Sequence, residues 1–534
     1  MVSLLSDLKQ RGVWRSYDQH VLRLEPILQA MTRRGIPVDP TRYAEVKAEL
    51  TAEVARLEQA MQAMVPDEVR PFHPKDGYKR PPVDIPQCAP SGSGITKVIG
   101  NGGSIPTFLL RTGDHKGRAW PEPRWVKLDE WCPSGGKNGG LIRYMKFKGH
   151  KVPTDWKSGK ETTAELGLTR LAKSTGDPLY KLVRERSDLS TLLTNHVKNW
   201  KPGSDGRVHP LFYYDTATGQ LAARKPNSMN APHHKESQGP IFRSMIIAPP
   251  GHTIVEWDYK GFHSLVLGFC ARDLNLMRMT RIDVHSFVTA HLKHLPNHER
   301  CHEWADADLA VYLSKVKREY KHDRDAKVKH AFLGYNNGMG YRKLYNVYME
   351  YFESQSEAKR VMALLDSLFP QAKVFREQVC AQAHEQGYLI SRAGSIRYFF
   401  EVYKAKYNKE GVAEWSHGPD QEAAKSYFQQ NLSHGHLKDA MIRLDDAGLL
   451  EQAGVCTPIH DAIIGIVPNH LLATVIPAIA SEMEKPSTIL VDPVSAPNGL
   501  SVGVSVKLGK CWKDMVELKD WSNAEEIKRA ISAT

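Results

Sequence analysis

Residues 253–258 read TIVEWD, an apolar, strand-like run that ends on Asp258. A second run of this kind, TPIHDAIIGI at 457–466, contains Asp461. A lone carboxylate inside an apolar strand is costly to bury. If the two strands lie side by side, the carboxylates form a site for divalent cations, because carboxylate oxygens suit magnesium. The two stretches therefore predict a metal site built on strands that are far apart in the sequence.

The composition indicates a large, basic protein from a reducing compartment. A chain of 534 residues with 41% hydrophobic content can build several subdomains. Lysine and arginine number 72 against 60 acidic residues, and the net charge of +12 favours a nucleic-acid partner but fits an ordinary basic protein equally well. The seven cysteines form no CxxC pair. Without a secretory signal or an apolar run of about 20 residues, we expect a cytoplasmic protein with no membrane partner.

The pattern of apolar residues predicts an α+β fold. Short strands separated by long helical regions are typical of that class. Helical spacing recurs at 20–64, with a turn at 35–40, and at 162–200, 274–385 and 420–446. Strands are predicted at 207–212, 242–247, 398–402 and 502–506, besides the two aspartate runs.

Residues 65–160 differ from the rest in being rich in proline, glycine, lysine and tryptophan. This composition predicts a loop-rich, basic insertion. Two cysteines and two histidines within it could be imagined as a zinc set, but their spacing matches no compact ligand pattern, so we interpret them as loop residues. They are Cys88, His115, Cys132 and His150.

Seven segments resemble, in order, those of family A DNA polymerases, the DNA polymerase I family. No single segment is specific, but seven in the right order at plausible spacings make chance an unconvincing explanation. They are DTATGQL with PN and Asn230 (215–230), FR to APPGH (242–252), motif A (258–273), DVH (283–285), motif B (329–340), GSIRY (394–398) and the HD of motif C (460–461).

The resemblance implies a right-hand polymerase fold, with a palm built on an antiparallel sheet and with helical fingers and thumb. Residues 1–205 would hold the N-terminal helices and the thumb with its insertion. The palm would comprise 206–273, with motif A, and 386–534, with motif C and the C-terminal strand. The fingers, with motif B, would be 274–385.

The implied activity is that of a DNA-directed DNA polymerase, which adds dNTPs to a primer 3′ end by two-metal phosphoryl transfer. We expect a polymerase module without an exonuclease domain and therefore without intrinsic proofreading. The ending KLGKCW at 507–512 resembles phage-type members, which implies the host cytoplasm. The expected partners are primer-template DNA, dNTPs and separate replication proteins such as an exonuclease, a helicase and a primase.

By resemblance, Asp258 and Asp461 would bridge two Mg²⁺ ions, or Mn²⁺ in their place, and the carbonyl of Tyr259 would be a further ligand. Lys329 would contact the triphosphate and donate a proton to the leaving pyrophosphate. The catalytic set is therefore Asp258, Asp461 and Lys329.

The other expected dNTP contacts lie in or near motif B. Leu333 follows Lys329 by four residues and shares its helix face, and Asn337 lies one turn further. Arg324 or Lys327 would supply another phosphate contact. A solvated basic run without a ligand is the alternative for this segment.

His263 occupies the position of a family glutamate that excludes a ribose 2′-hydroxyl, and we expect it to act as this gate. Expected contacts to the primer terminus or duplex backbone are His460 and Arg397. Minor-groove candidates are Gln430, Asn230 and Gln220.

Four positions depart from the family pattern. Gln220 stands for an arginine, Asp325 for the motif B arginine, Asn337 for a tyrosine and Ala462 for a glutamate. With His263, the changes at Gln220 and Asn337 leave open a polymerase with relaxed sugar selectivity or a lesion-bypass role. A catalytically silent DNA-binding scaffold is the other alternative, against which the retained Asp258, Lys329 and Asp461 argue.

Overall fold

The computed structural model describes residues 2–66, 140–155, 159–214, 216–232, 238–407 and 413–533, together with short pieces between 69 and 133. Two compact units divide the chain. The first combines residues 1–47 with 194–534, and the second comprises 48–193. The predicted boundaries of thumb, palm and fingers remain predictions.

The second unit has a small helical core. Pro178–Thr191 begins where Asp177 caps it, its carboxylate accepting from the N–H of Leu179 at 3.0 Å. Edge-on packing of Tyr144 against Tyr180 fills the centre. Its other elements are Gly140–Phe147, Glu165–Thr175 and the strand pairs Ile85–Pro86 with Trp125–Val126 and Ile95–Ile99 with Thr107–Leu110.

Most of the predicted insertion, including Cys88, His115 and Cys132, lies outside the described residues. His150 is described, and its Nδ1 lies 2.6 Å from the hydroxyl of Tyr180. Burial, followed by the nearby Asp177 charge, raises the pKa of that hydroxyl. His150 therefore has a local structural partner within this unit.

The first unit is built on a five-stranded antiparallel sheet. His252–Tyr259 is the central strand, which confirms the strand predicted at 253–258. The apolar residues of this strand are buried, and both of its edges are paired with neighbouring strands. The order across the sheet is Val455–Ile459, Ala462–Pro468, His252–Tyr259, Val504–Gly509 and Val516–Glu517.

A long helix, Gln421–Asp446, runs through the core of this unit and confirms the helix predicted near 420–446. It contacts Phe262–Ala271, which follows the central strand, and Leu472–Met483. Its residues are buried along most of its length, as expected for a helix covered on all sides. The helix therefore links the sheet to the helices beyond it.

A separate apolar cluster joins most of the helices between 274 and 372. Aspartates start two of them: Asp273 accepts from the N–H of Leu276, and Asp283 from that of Ser286. The helices are Leu274–Ile282, Val284–Leu292, Cys301–Glu303, Asp306–Glu319, Asp323–Val328, Lys329–Asn336, Tyr341–Val347, Gln355–Leu368 and Pro370–Gln386.

The remaining helices and strand pairs complete the description. Across all described helices, none is long and apolar enough to cross a membrane. The helices are Val2–Gln10, Trp14–Tyr17, Asp18–Arg23, Leu24–Arg34, Pro40–Met64, Leu192–His196, Val197–Trp200, Ser228–Asn230, Gly239–Arg243, Leu449–Gln452, Asn469–Leu471 and Ala524–Ala533. The strand pairs are Ile36–Pro37 with Arg207–Val208, Leu211–Tyr213 with Ala222–Arg224, Tyr388–Ile390 with Ile396–Tyr398, and Tyr403–Tyr407 with Ala413–His417.

The strand predicted at 242–247 is wrong. The chain forms the short helix Gly239–Arg243, with proline in its first turn, where its fixed φ favours a helix start. Phe242 is buried edge-on against Trp200 at 4.9 Å between ring centroids. The helix ends at Arg243, and within the predicted strand only Ile247 forms an antiparallel bridge, with Cys511.

The strand predicted at 398–402 is also wrong in its bounds. One strand ends at Tyr398 and the next begins at Tyr403. Between them, Asp420 Oδ2 accepts from the backbone N–H groups of Phe400 and Glu401, at 2.8 and 3.0 Å. These two N–H groups are therefore not available to pair with a neighbouring strand.

Candidate active site

Asp258 and Asp461 lie at the same edge of the sheet. Asp258 is the penultimate residue of the central strand, and its register partner is Ala462. Asp461 immediately precedes Ala462 in the turn that closes the neighbouring hairpin, so the prediction that it lies inside a strand is wrong. The N–H of Tyr259 faces the carbonyl oxygen of Asp461 at 3.5 Å. Strand pairing thus brings together residues that are far apart in the sequence.

The turn before Asp461 is strained. His460 has φ +53°, a left-handed conformation that costs a residue other than glycine roughly 1–2 kcal/mol. Strain of this kind tends to occur at functional sites. The His460 side chain is exposed, and its Nδ1 lies 3.2 Å from Nε2 of Gln220. Two of the predicted DNA contacts are therefore neighbours beside Asp461.

The carboxylates repel each other in a mostly buried setting. Burial, followed by the charges of Asp461 and Glu256, raises the pKa of Asp258 to about 7. Glu256 forms an ion pair with Lys507, whose Nζ lies 3.0 Å from its Oε1. Ionisation of Asp258 in the folded protein therefore costs free energy, and a bound cation would reduce that cost.

The donor set fits magnesium. Mg²⁺ is usually held by one or two carboxylates with waters and substrate phosphates completing its shell. Asp258 and Asp461 supply the carboxylates, and Tyr259 is adjacent through its backbone. Within the described ranges, no group of three or more histidine, cysteine or acidic side chains is placed to hold a metal alone. The remaining ligands would thus come from backbone, water and substrate.

His263 stands beside this pair. Its Nε2 lies 3.9 Å from Oδ1 of Asp461, and its ring packs edge-on against His434 at 5.6 Å between centroids. Its Nδ1 is buried with no hydrogen-bond partner among the described residues. The helix that carries His263 begins after Gly261, which has φ +59°. A Cβ at that glycine would lie 2.7 Å from Cγ2 of Thr280.

The predicted motif B helix is present as a π-type turn, Asp323–Val328, followed by Lys329–Asn336. Lys329 and Leu333 are both exposed on it, and the side-chain amide of Asn337 donates to the carbonyl of Leu333 at 3.0 Å. Lys329 also contributes, after burial and Arg324, to lowering the pKa of His285 to about 4. Lys329 and Leu333 therefore share an exposed face, as expected.

Arg324 is engaged within the fold. Its guanidinium contacts both carboxylate oxygens of Asp283, at 3.0 and 3.1 Å, and the hydroxyl of Ser286 at 3.0 Å. Lys327 likewise pairs with Glu357. A nucleotide phosphate at either cation would compete with these carboxylates for it.

The other predicted DNA contacts are distributed along the unit. Gln430 donates to Oδ1 of Asn337 at 3.0 Å, which joins the long helix to the end of the motif B helix. The guanidinium of Arg397 lies over the ring of Phe399 at 5.2 Å. Asn230 is exposed at the end of a short helix. Among the described residues, Arg397 and Asn230 form no hydrogen bond with the other predicted contacts.

The sequence interpretation missed a polar face of the long helix. Gln430, His434 and Lys438 follow each other at intervals of four residues and therefore lie along one face. Burial, followed by the His263 charge, holds the pKa of His434 well below its usual value. Burial also lowers the pKa of Lys438 to about 8. Stepping one helical turn at a time from Gln430 would have found both residues.

A second missed feature connects three helices. The side-chain amide of Asn336 donates to the hydroxyl of Ser264 at 2.6 Å, and Gln429 donates to the backbone carbonyl of Asn336. All three side chains are buried. These bonds place the end of the motif B helix against the helix that carries His263.

A known protein family matches the part of the chain that contains these residues. The family model for DNA polymerase family A matches residues 140–514. DNA polymerase I of Treponema pallidum is 26% identical over 354 residues, which are 65% of this chain and 31% of that protein. DNA polymerase I of Pseudomonas aeruginosa is 25% identical over 367 residues, 66% of this chain and 36% of that protein. The chain thus matches about a third of the length of these relatives.

A solved structure, the POL domain of Pol1 from M. smegmatis in complex with DNA primer-template and dNTP, has the same fold. The TM-score is 0.65 at 19% sequence identity, and the match covers 96% of this chain and 73% of that one. The likeness confirms the predicted α+β, right-hand polymerase fold.

Proposed function

This chain belongs to DNA polymerase family A, and from that membership we propose that it extends a primer on a DNA template by adding deoxynucleotides. The observation that carries the proposal is the pairing of Asp258 with Ala462, which brings Asp258 and Asp461 to one edge of the sheet. The reaction joins the primer 3′ oxygen to the α-phosphorus of a dNTP and releases pyrophosphate.

In this proposal, Asp258, Asp461 and the carbonyl of Tyr259 would hold two Mg²⁺ ions, for which Mn²⁺ could substitute. When bound, the ions would activate the primer 3′ oxygen and neutralise charge on the leaving pyrophosphate. The ionisation cost at Asp258 supports this role, because a carboxylate with a raised pKa gains most from a nearby cation.

Lys329 would neutralise the triphosphate and transfer a proton to the pyrophosphate. Its exposed position one turn before Leu333 supports this role, since both side chains then face the same space. A phosphate contact from Arg324 would compete with its ion pair to Asp283, so we assign it a secondary part. Asn337 would border the same pocket.

The primer-template duplex would lie along the exposed polar residues near the hairpin turn. His460 and Gln220, in contact at 3.2 Å, would face the primer end. Gln430 would contact the minor groove, where hydrogen bonds check base-pair shape. Arg397 and Asn230 would contact the duplex farther from the reacting end.

A polymerase with relaxed sugar selectivity is the second candidate. It is favoured by Asn337, whose Oδ1 is occupied by Gln430 and which stands where the resemblance expects a tyrosine. The choice between the two depends on whether His263 excludes a ribose 2′-hydroxyl.

Primer-template DNA and dNTPs as partners are supported by the solved relative, which was determined with both. Separate replication proteins, a phage origin and a cytoplasmic location remain predictions.

The test is primer extension with Mg²⁺, with dNTPs and rNTPs supplied separately. Asp461→Asn should lower the rate by about 10²-fold or more while duplex binding persists. Asp308→Asn, at an exposed position of the helix Asp306–Glu319, is the matched control and should extend normally. Intact DNA binding by the wild type without extension under any divalent metal would favour the silent scaffold.

A further inference from the structure

The hairpin Tyr388–Ile390 with Ile396–Tyr398 exposes an apolar face. Tyr388 pairs with Tyr398, and Ile390 with Ile396, so these four side chains share one side of the ribbon. All four are exposed, whereas Leu389 on the opposite side is buried. In a two-stranded ribbon with one solvated face, that face is normally polar. A clustered exposed apolar face of this kind usually marks a binding surface.

Phe400 lies two residues beyond the end of this ribbon at Tyr398. Its side chain is 94% exposed, yet its backbone is held by the hydrogen bond to Asp420. The two N–H bonds received by Asp420 are the leading causes that lower its pKa, so this carboxylate is charged at neutral pH. The ring is therefore displayed from a fixed turn.

The next hairpin, Tyr403–Tyr407 with Ala413–His417, displays two more rings. Tyr407 is 73% exposed and Trp415 is 60% exposed. Trp415 is opposite Ala405, so it lies on the same face as Tyr407 and diagonal to it. The ring of His384 supports Trp415 edge-on at 5.2 Å between centroids.

We call Tyr388, Tyr398, Phe400, Tyr407 and Trp415 the aromatic strip. The segment 388–407 that carries most of it is positively charged. It contains four cations, Arg392, Arg397, Lys404 and Lys406, against the single carboxylate Glu401. Exposed rings interleaved with cations are the combination that binds single-stranded nucleic acid, because rings stack on bases and cations attract phosphates.

We propose that the aromatic strip binds an unpaired nucleic-acid strand through base stacking. The strip is connected to the proposed duplex contacts, because the hydroxyl of Tyr427 donates to the carbonyl of Ser395 at 2.7 Å. Tyr427 lies three residues before Gln430 on the long helix. The bound strand would be the template beyond the duplex, an assignment that rests on the proposed function.

The test measures equilibrium binding by fluorescence anisotropy. The probes are a primer-template with a long unpaired template strand, the same duplex with a single unpaired nucleotide, and single-stranded oligothymidine. The variants are Phe400→Ala and the double substitution Tyr407→Ala with Trp415→Ala. Phe147→Ala, which removes a half-exposed ring outside the strip, is the matched control.

Each strip variant should bind the long-overhang probe and oligothymidine about tenfold more weakly, and the single-nucleotide duplex as tightly as the wild type does. Phe147→Ala should leave the ratio between the probes unchanged. Circular dichroism and thermal unfolding establish that the variants are folded.

Equal loss on both duplexes, or no loss on either, would overturn the proposal. It would also be overturned if the wild type self-associates in sedimentation velocity, Phe400→Ala abolishes this, and binding to oligothymidine stays unchanged. The strip would then be a protein interface. Failure of primer extension would contradict the proposed function, while overhang-dependent binding would still support stacking at the strip.

Discussion

His263 Nε2 lies 3.9 Å from Asp461 Oδ1, although one residue follows the central strand and the other lies in a hairpin turn. The ring is bordered on another side by His434. A sugar bound next to Asp461 would therefore meet a bulky imidazole whose position is set by two elements of the core.

We expect His263→Ala to increase ribonucleotide use, because removal of the ring opens space for a 2′-hydroxyl. The ratio of kcat/KM for rNTP to that for dNTP should rise by about tenfold or more. His263→Glu, which restores a bulky acceptor, is the control and should retain selectivity. An unchanged ratio in the alanine variant would show that the gate lies elsewhere.

Lys329→Ala should lower kcat/KM for dNTPs by about 10²-fold, since it removes the charge proposed to meet the triphosphate. Lys329→Arg should lose less because the charge remains. Single-turnover primer extension measures both. Lys315→Ala, at an exposed position of the preceding helix, provides the comparison, and equal rates in the two alanine variants would contradict the role of Lys329.

The raised pKa of Asp258 predicts a pH-dependent stability in the metal-free protein. Its folded value of about 7 exceeds the unfolded value of about 3.9, so the folded state binds the proton more tightly. The free energy of unfolding contributed by this group falls as pH rises from about 4 to about 7 and is then constant.

Asp258→Asn should therefore be more stable than the wild type in EDTA at pH 8, by roughly 1–3 kcal/mol, with a smaller difference at pH 5. Denaturant unfolding at both pH values measures this. Mg²⁺ should stabilise the wild type and reduce the difference. A variant that is less stable at pH 8 would mean that Asp258 is stabilised in its charged form.

Gly261→Ala should destabilise the fold by about 2 kcal/mol, of which about 1 comes from the positive φ and the rest from crowding by Thr280. Gly251 has a similar φ of +76°, but an added Cβ would have nothing within 4 Å. Gly251→Ala should therefore lower the free energy of unfolding only by the roughly 1 kcal/mol that comes from the positive φ. Urea unfolding of the two variants measures the loss of stability in each, and the difference between them gives the contribution of crowding.

Thr280→Ser removes the methyl group that the new Cβ would meet. Combined with Gly261→Ala, it should recover part of the lost stability, as a double-mutant cycle would reveal. Equal losses for both glycine substitutions, with no recovery in the double variant, would contradict the crowding argument.

Sequence patterns succeeded where local chemistry decides structure. The central strand and the long helix were predicted within about two residues, because apolar periodicity reflects burial that packing then satisfies. The patterns failed at 242–247 and 398–402. At the first, apolar residues served a short helix, and at the second Asp420, from outside the segment, took the backbone donors.

The same limit applies to the candidate site. Asp258, Asp461 and Lys329 could be named from motifs. His434 and Lys438 could be found by their helical spacing from Gln430, but the sequence does not show that this face of the long helix meets His263. Arg324 was expected at the nucleotide, yet Asp283 holds it within the fold. A single sequence gives residue types but not the partners that compete for them.

By itself, then, the amino-acid sequence determined the types of the long elements, the order of the motifs and the identity of the two aspartates. Only the tertiary structure decided that Asp461 lies in a strained turn beside Asp258, and that His263 stands next to it. The physical reason is that these contacts arise from strand register and helix packing between segments about two hundred residues apart. Periodicity reports the burial of one segment and carries no information about which distant segment pairs with it.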